Sequence, residues 1–201
     1  MLSVTDLACS RGDRTLFRGL NFSVAAGQWL HVTGDNGAGK TTLLRTVVGL
    51  AAPDHGSVKW QGQAVRHQRQ DFQRALCYLG HQAAVKDEFT PLENLVTSAA
   101  LEGCAVQDTQ AWAALKALGL ARCGRLPTRF LSAGQKRRVL LARLLLRPAR
   151  LWVLDEPFAA LDAAATDWLG RLLSQHLASG GMALLTSHQP VPLPPGDTVS
   201  L

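Results

Sequence analysis

The residues able to do chemistry sit in a few short stretches. Gly34-Asp35-Asn36-Gly37-Ala38-Gly39-Lys40-Thr41-Thr42 satisfies the spacing G-x-x-x-x-G-K-[ST]. Glycines at those positions let the backbone wrap closely around a polyphosphate and turn successive N–H groups inward at a helix N-terminus. Lys40 would reach the β- and γ-phosphates, and Thr41 would offer its hydroxyl to Mg²⁺. Thr42, one residue further in, could cap the helix or bond a phosphate. Asp155-Glu156-Pro157 closes the continuous apolar run Leu151 to Leu154. Two adjacent acids at the end of a buried strand are costly without partners. Mg²⁺ and a nucleophilic water would offset that cost, Asp155 holding the metal through its shell and Glu156 orienting and deprotonating the water. A plain strand-end turn is the alternative for Asp155-Glu156, as a ligand-free strand-to-helix turn is for the glycine stretch.

His188 follows a second apolar run, Met182 to Thr186. At a strand end of this kind its imidazole is placed to hydrogen-bond a γ-phosphate. Leu131-Ser132-Ala133-Gly134-Gln135 precedes the basic amphipathic run Lys136 to Arg147. An N-cap accounts for Ser132 by itself. With a phosphate loop upstream, this small-residue helix start is also a second anion site in search of its phosphate.

The elements that must position these groups read as an α/β core with a helical insertion. The alternating run Leu2, Val4, Asp6, Ala8 is a first strand, joined through the charged turn Ser10 to Arg14 to a second at Asn21 to Val24. Ala26-Gly27 turns into the strand Trp29 to Thr33, which feeds the phosphate loop, and the apolar stretch Leu43 to Leu50 is the helix behind it. Pro53-Asp54-His55-Gly56 is turn chemistry, Ser57 to Trp60 a short strand, Gln63 to Arg74 weakly helical, and Ala75 to Gly80 strand-like, with Gln82 directly after it. Thr90-Pro91-Leu92-Glu93 is a capping-box start with proline at the first helical position. Asp108 is expected to cap Thr109 to Leu118, with Trp112, Leu115 and Leu118 as its packing face. Residues 84 to 129 thus form a helical subdomain inserted in a core made of 1–83 and 130–201. Ala163 to Leu177 is a helix stopped by Gly180-Gly181, and the proline-rich tail from Pro190 is an edge strand or extended arm.

Length and composition bound the rest. A chain of 201 residues, 47% hydrophobic, suits one domain with a sizeable core. Lysine and arginine number 21 against 15 acids, a net +6 that would suit nucleotide phosphates, nucleic acid or an anionic membrane surface without choosing among them. Cys9, Cys77, Cys104 and Cys123 show no C-x-x-C or zinc spacing, which points to buried free thiols in a reducing compartment. No signal peptide is evident at the N-terminus. The greasiest region, Val139 to Leu154, is interrupted by Arg143, Arg147 and Arg150 well short of a membrane span, so a membrane role would come through a partner.

Taken together, the phosphate loop, Gln82, Leu131 to Gln135, Asp155-Glu156, Leu161-Asp162 and His188 resemble, in order and across nearly the whole chain, the ATP-binding subunits of ABC transporters. The resemblance implies a P-loop NTPase cassette of α/β class with a mixed sheet core and a helical insertion. It implies ATP and Mg²⁺ as cofactors and a head-to-tail homodimer with two ATP molecules at the interface. Ser132 to Gln135 would close over the ATP of the second subunit, Asp162 would communicate across the interface, and His188 would contact the γ-phosphate. Gln82 would link the metal site, shared with Thr41 and Asp155, to the membrane partner. The chain departs from the family pattern twice. Ala133 replaces the first glycine of the usual signature, which would strain the backbone if that residue needed φ > 0. Arg11 stands where an aromatic residue usually stacks on adenine; a guanidinium plane can stack on a base, but weak discrimination between ATP and GTP is expected.

A finer resemblance is to the CcmA family of cytochrome c biogenesis ATP-binding proteins, carried by the short length, Gly37 to Arg45, His81 to Lys86, Leu131 to Gln135 with its alanine at position 133, and Asp155-Glu156-Pro157-Phe158. That family implies a peripheral place on the cytoplasmic face of the inner membrane, a CcmB-like membrane subunit with other cytochrome c maturation subunits, and ATP use coupled to haem export or haem delivery to a periplasmic chaperone. His55, His67 and Cys77 show no haem-binding pattern. The alternatives are an ABC transporter ATPase with a different cargo, a soluble ABC ATPase acting on nucleic acid or ribosomes, and a non-hydrolysing nucleotide-dependent module. The second lacks the expected tandem cassettes or long basic insertions, and Glu156 with His188 speaks against the third. No nucleic-acid partner is expected.

Overall fold

The computed structural model describes residues 1–81 and 84–201, which divide into two units. The first comprises Met1–His81, Ala149–Glu156 and Gly170–Leu201. It opens with an antiparallel hairpin, β1 (Leu2–Arg11) and β2 (Arg14–Val24), in which Leu2 faces Val24 and Arg11 faces Arg14. The second strand therefore begins well before Asn21, and the turn between the strands is only two residues long. Alternation along β1 also breaks. Leu2 and Val4 are buried, but the next buried positions are Leu7 and Cys9, because Asp6 takes φ 49° and the register shifts between Val4 and Leu7. An extra residue of this kind flips every following side chain to the opposite face, so Asp6 and Ala8 do not continue the inward row.

The strands β3 (Trp29–Thr33), β4 (His55–Trp60), β5 (Gln63–Ala64), β6 (Leu76–Leu79), β7 (Leu151–Leu154), β8 (Met182–Thr186) and β9 (Asp197–Ser200) complete the unit among the described residues. They form two sheets: an antiparallel one in the order β2-β1-β4-β5, and one in the order β6-β7-β8-β3-β9 in which all neighbours are parallel. β7 is buried at all four positions, as a strand flanked on both sides in a parallel sheet must be. The tail returns as β9, an edge strand alongside β3. The helices α1 (Lys40–Val47) and α2 (Arg69–Ala75) pack into the core between the sheets through Leu43, Leu44, Val47 and Phe72, all fully buried, with the Phe72 ring 5.7 Å from that of Trp60. Cys9 and Cys77 are buried thiols, whereas Cys104 and Cys123 are partly exposed, so burial holds for only two of the four.

The second unit, Gln82–Pro148 and Pro157–Leu169, is helical. α3 (Pro91–Leu101) starts at Thr90, whose hydroxyl accepts from Glu93 N–H while the Glu93 carboxylate accepts from Thr90 N–H. α4 (Asp108–Ala117) is capped at Gln107, whose N–H donates to the Gln110 side-chain oxygen and whose backbone C=O accepts from Gln110 N–H, and not by Asp108, which is the first helical residue. Its buried face is Ala111, Ala114, Leu115 and Leu118, and Trp112 stands partly exposed beside Gly124, where a Cβ would meet the indole at 2.7 Å. α5 (Ala133–Leu146) packs on α3 and α4 and so belongs with them, whereas the sequence pattern ended the helical segment at Arg129. Arg143 on α5 and Arg147 at its C-cap both pair with Glu102, the C-cap of α3. α6 (Ala163–Ala178) contributes residues 163–169 to this unit and 170–178 to the first. Among the described residues no helix is long and apolar enough to cross a membrane.

Candidate active site

In a parallel sheet, ligands bind outside the carboxyl ends of the strands. Here those ends carry Gly34 after β3, Gly80 after β6, Asp155 after β7 and Ser187-His188 after β8. Gly34, Gly37 and Gly39 take φ of 139°, 81° and 109°, backbone that L side chains rarely adopt. Gly39 caps α1, and a Cβ there would lie 3.0 Å from the Leu16 Cβ, so close packing of the hairpin on the loop also demands glycine. Within the loop Ala38 N–H donates to Asp35 C=O, and Leu43 N–H donates to Gly39 C=O. Lys40 Nζ donates to the carbonyls of Gly34 at 2.7 Å and Asp35 at 3.1 Å. These backbone acceptors hold the ammonium over the loop, where its charge faces whatever the loop enfolds.

Around the loop lies a cavity of about 380 Å³ lined by Arg11, Leu16, Asn36, Gly37, Gly39, Lys40, Thr41, Thr42, His81, Asp155, Glu156 and His188. The structure thus gathers Arg11, the phosphate loop, the two acids and His188, which are far apart in the chain. Asp155 is 2% exposed, and both of its oxygens accept hydroxyl hydrogen bonds: Oδ2 from Thr41 at 2.7 Å and Oδ1 from Thr186 at 2.8 Å. The Glu156 carboxylate is held at the other side, Oε2 accepting from His188 N–H at 3.2 Å and Oε1 lying 3.5 Å from His188 Nε2. Glu156 has φ 51°, strain of the sort that concentrates at functional sites. Arg11 ends β1 with its side chain exposed at the cavity rim. Tyr78 on β6 has its hydroxyl pKa pushed up by burial and by the Asp155 charge, with Arg45 opposing.

Thr186, buried behind the cavity acids, and His81, in the cavity lining, had no site role in the sequence pattern. Thr186 is fully buried, and besides bonding Asp155 it accepts the Glu156 backbone N–H at 2.8 Å. A hydroxyl closing an otherwise apolar strand was the available signal. His81 lines the cavity directly after β6, and its signal was adjacency to Gln82. Gln82 itself lies outside the described residues.

The signature segment is found in the second unit. Ser132 is exposed at the start of α5; its hydroxyl accepts from Gln135 N–H at 3.2 Å, and the Gln135 side-chain oxygen accepts from Ser132 N–H at 2.8 Å. Ala133 is the first helical residue and has no positive φ, so alanine in place of glycine carries no backbone strain. Gly134 is required by packing: a Cβ there would lie 2.6 Å from the carbonyl oxygen of Ala160. The segment leading into α5 is anchored by Thr128, whose hydroxyl donates to Lys86 C=O at 2.6 Å, and by Lys136 paired with Asp87. Asp162 caps α6, its carboxylate accepting from Ala165 N–H at 2.8 Å and lying 4.0 Å from Arg138 Nη2.

The donor set at the strand ends suits Mg²⁺. That ion takes hard oxygen ligands and is usually bound through one or two carboxylates with phosphate oxygens and water completing the octahedron. Thr41 and Asp155 place a hydroxyl and a carboxylate in direct contact at the mouth of a phosphate loop.

A family model described as ABC transporter matches residues 17–159. The cytochrome c biogenesis ATP-binding export protein CcmA of Dechloromonas aromatica (strain RCB) is 50% identical over 201 residues, covering 100% of this chain and 98% of the relative. The protein of the same name from Salmonella typhi is 51% identical over 192 residues, covering 96% of this chain and 91% of the relative. Among solved structures, an ATP-binding subunit of an ABC transporter superposes with TM-score 0.81 at 26% identity, covering 94% of this chain and 79% of that one. A putative ABC transporter ATP-binding protein from Pyrococcus furiosus superposes with TM-score 0.83 at 24% identity over 100% of this chain and 96% of that one, a likeness of fold. With the ordered strand-end groups described above, these matches show that the chain belongs to the ABC transporter family and, within it, to the CcmA-type ATP-binding proteins of cytochrome c biogenesis.

Proposed function

We propose that this chain is the ATP-hydrolysing subunit of a membrane ABC complex for cytochrome c-type biogenesis, coupling hydrolysis to haem export or to haem delivery to a periplasmic chaperone. The observation that carries the chemistry is the contact of Thr41 with buried Asp155, beside a Glu156 held by His188. The cargo rests on half-identity, end to end, with relatives named for cytochrome c biogenesis and export.

In the reaction, loop N–H groups and the Lys40 ammonium bind the phosphates, where fixed dipoles and charge meet the negative charge that spreads over the transferred group. Thr41 and Asp155, with Gln82, would hold Mg²⁺, which when bound neutralises charge on the β- and γ-oxygens. Glu156 orients a water toward the γ-phosphorus and accepts its proton as the new P–O bond forms and the bond to the β-bridging oxygen breaks, releasing ADP. His188 donates to the γ-phosphate and steadies Glu156. Arg11, at the cavity rim, would stack on the base. The active form is a homodimer in which Ser132, Ala133, Gly134 and Gln135 of one copy close on the nucleotide of the other, and Asp162 communicates across the interface. A CcmB-like membrane subunit, with other cytochrome c maturation subunits, holds the dimer peripherally at the cytoplasmic face of the inner membrane.

Turnover measured against protein concentration tests the shared site. Specific activity should rise with concentration, and Glu156→Gln should retain ATP, accumulate dimer and lose about 100-fold or more in kcat, the scale of a general base. Specific activity constant down to dilute protein would refute the shared site, and undiminished turnover in Glu156→Gln would refute the base. Affinity capture from detergent-solubilised membranes should recover a CcmB-like subunit; recovery of ribosomes or nucleic acid in its place would overturn the cargo assignment.

A further inference from the structure

We infer that Thr186 is a positioning residue for hydrolysis, its buried hydroxyl locking the metal-side carboxylate of Asp155 and the backbone of Glu156 into one geometry. The inference rests on the proposed ATPase chemistry and assigns a role to a residue that touches neither phosphate nor metal. The register of the parallel sheet sets Leu154 of β7 against Leu185 of β8, so the next residues along, Asp155 and Thr186, emerge side by side. Thr186 then uses its hydroxyl twice, donating to Asp155 Oδ1 at 2.8 Å and accepting from Glu156 N–H at 2.8 Å. Both bonds lie at ordinary strong O–H···O and N–H···O lengths, and the hydroxyl is fully buried.

Each bond does separate work. The bond to Oδ1 fixes the rotation of the carboxylate so that Oδ2 stays on Thr41, the hydroxyl at the phosphate loop. The bond from Glu156 N–H holds the one backbone in this stretch that sits at φ 51°, a conformation a glutamate does not keep without support. From that backbone the Glu156 side chain reaches His188 N–H at 3.2 Å. One hydroxyl therefore ties the acid that would hold the metal to the acid that would take the proton, in a dry site where neither bond can be replaced cheaply.

Thr186→Val keeps the shape and removes the hydroxyl, and Thr186→Ser keeps the hydroxyl and removes only a methyl. Hydrogen bonds to charged groups at a buried site translate to a kcat loss of roughly 10- to 100-fold for Thr186→Val. Nucleotide affinity should change less than about threefold, because the loop and Lys40 are untouched. Thr186→Ser should recover kcat to within about threefold of the parent, which general loosening of the core would not produce. Thr186→Cys, with a weak S–H donor, should fall between, and it serves if the valine variant does not fold. Parent-level kcat in Thr186→Val or Thr186→Cys, or a loss seen in affinity instead of kcat, would overturn the inference. Parallel assays of the parent and Glu156→Gln separate the two failures: an active parent silenced by Glu156→Gln but indifferent to Thr186→Val sinks this inference alone, and an inactive parent sinks both.

Discussion

Gly134→Ala puts the signature segment to a quantitative test. The added Cβ would stand 2.6 Å from the Ala160 carbonyl oxygen, against about 3.4 Å for ordinary contact, so α5 and the 158–162 turn must separate by 3.4 − 2.6 = 0.8 Å. Neither side yields easily. Gly134 sits in the first turn of a helix whose start is closed by the reciprocal Ser132–Gln135 pair, and Ala160 has φ 60° in a turn ending at the Asp162 cap. Overpacking on this scale costs about 1–3 kcal/mol. For a chain of this length that is a Tm decrease of about 2–12 °C. The functional cost is larger, since a displacement near 1 Å of a positioning group can cost about 100-fold. ATPase assays at saturating ATP, nucleotide titrations at a dilution where the protein is monomeric, and thermal melts give the three numbers. The expected pattern is kcat down about 100-fold, monomer nucleotide affinity unchanged, and a modest loss of Tm. Lost monomer affinity would place Gly134 at its own subunit's nucleotide, and unchanged kcat and Tm would show that the contact relaxes freely; either result refutes the reasoning. Ala133→Gly, one residue earlier, should do little, because Ala133 is unstrained.

Arg11→Ala should lower ATP and GTP affinity together by a few-fold if the guanidinium stacks on either base, and competition titrations read this directly; strong adenine preference unaltered by the change would remove Arg11 from the site. Glu102→Gln removes the carboxylate charge that pairs with both Arg143 and Arg147. With side chains 12–22% exposed, solvent screens part of the loss, so urea unfolding should show about 1–3 kcal/mol of destabilisation with nucleotide affinity intact. His176 stacks on Trp152 at 3.8 Å, and burial lowers its pKa below 6.5 against the opposing pull of hydrogen bonds to the Met182 and Arg150 carbonyls. The unfolded chain thus binds the proton more readily, so this group's contribution is present above pH 6.5 and is lost as pH falls through the depressed value. Stability of the parent should fall more steeply below pH 6.5 than that of His176→Phe, which keeps the stacked ring; superimposable pH profiles would contradict this.

Legibility differed from residue to residue for physical reasons. The phosphate loop was readable because its three glycines answer to backbone torsion, a local property, and because lysine and threonine must follow at fixed spacing. The capping box at Thr90 and the N-cap at Ser132 were local in the same way. The cap of α4 was misplaced by one residue because Gln107 caps without its side chain, its backbone C=O accepting from Gln110 N–H and its N–H donating to the Gln110 side-chain oxygen, and a residue type gives no sign of that. The bulge at Asp6 was hidden because alternation alone does not show where a strand gains a residue.

Local chemistry written in the chain determined where a glycine loop suited to phosphate opens a helix, which acids close a buried strand, and where the helices capped by Thr90 and Ser132 start. Tertiary structure alone decided who their neighbours are. Thr186 comes to lie against Asp155 and Glu156 only because β7 and β8 pair in parallel with Leu154 opposite Leu185, and α5 joins α3 and α4 only because its inner face and two arginines find their partners there. Register and packing are relations between segments far apart in sequence, fixed by burial of whole faces at once, and no window of residues contains them.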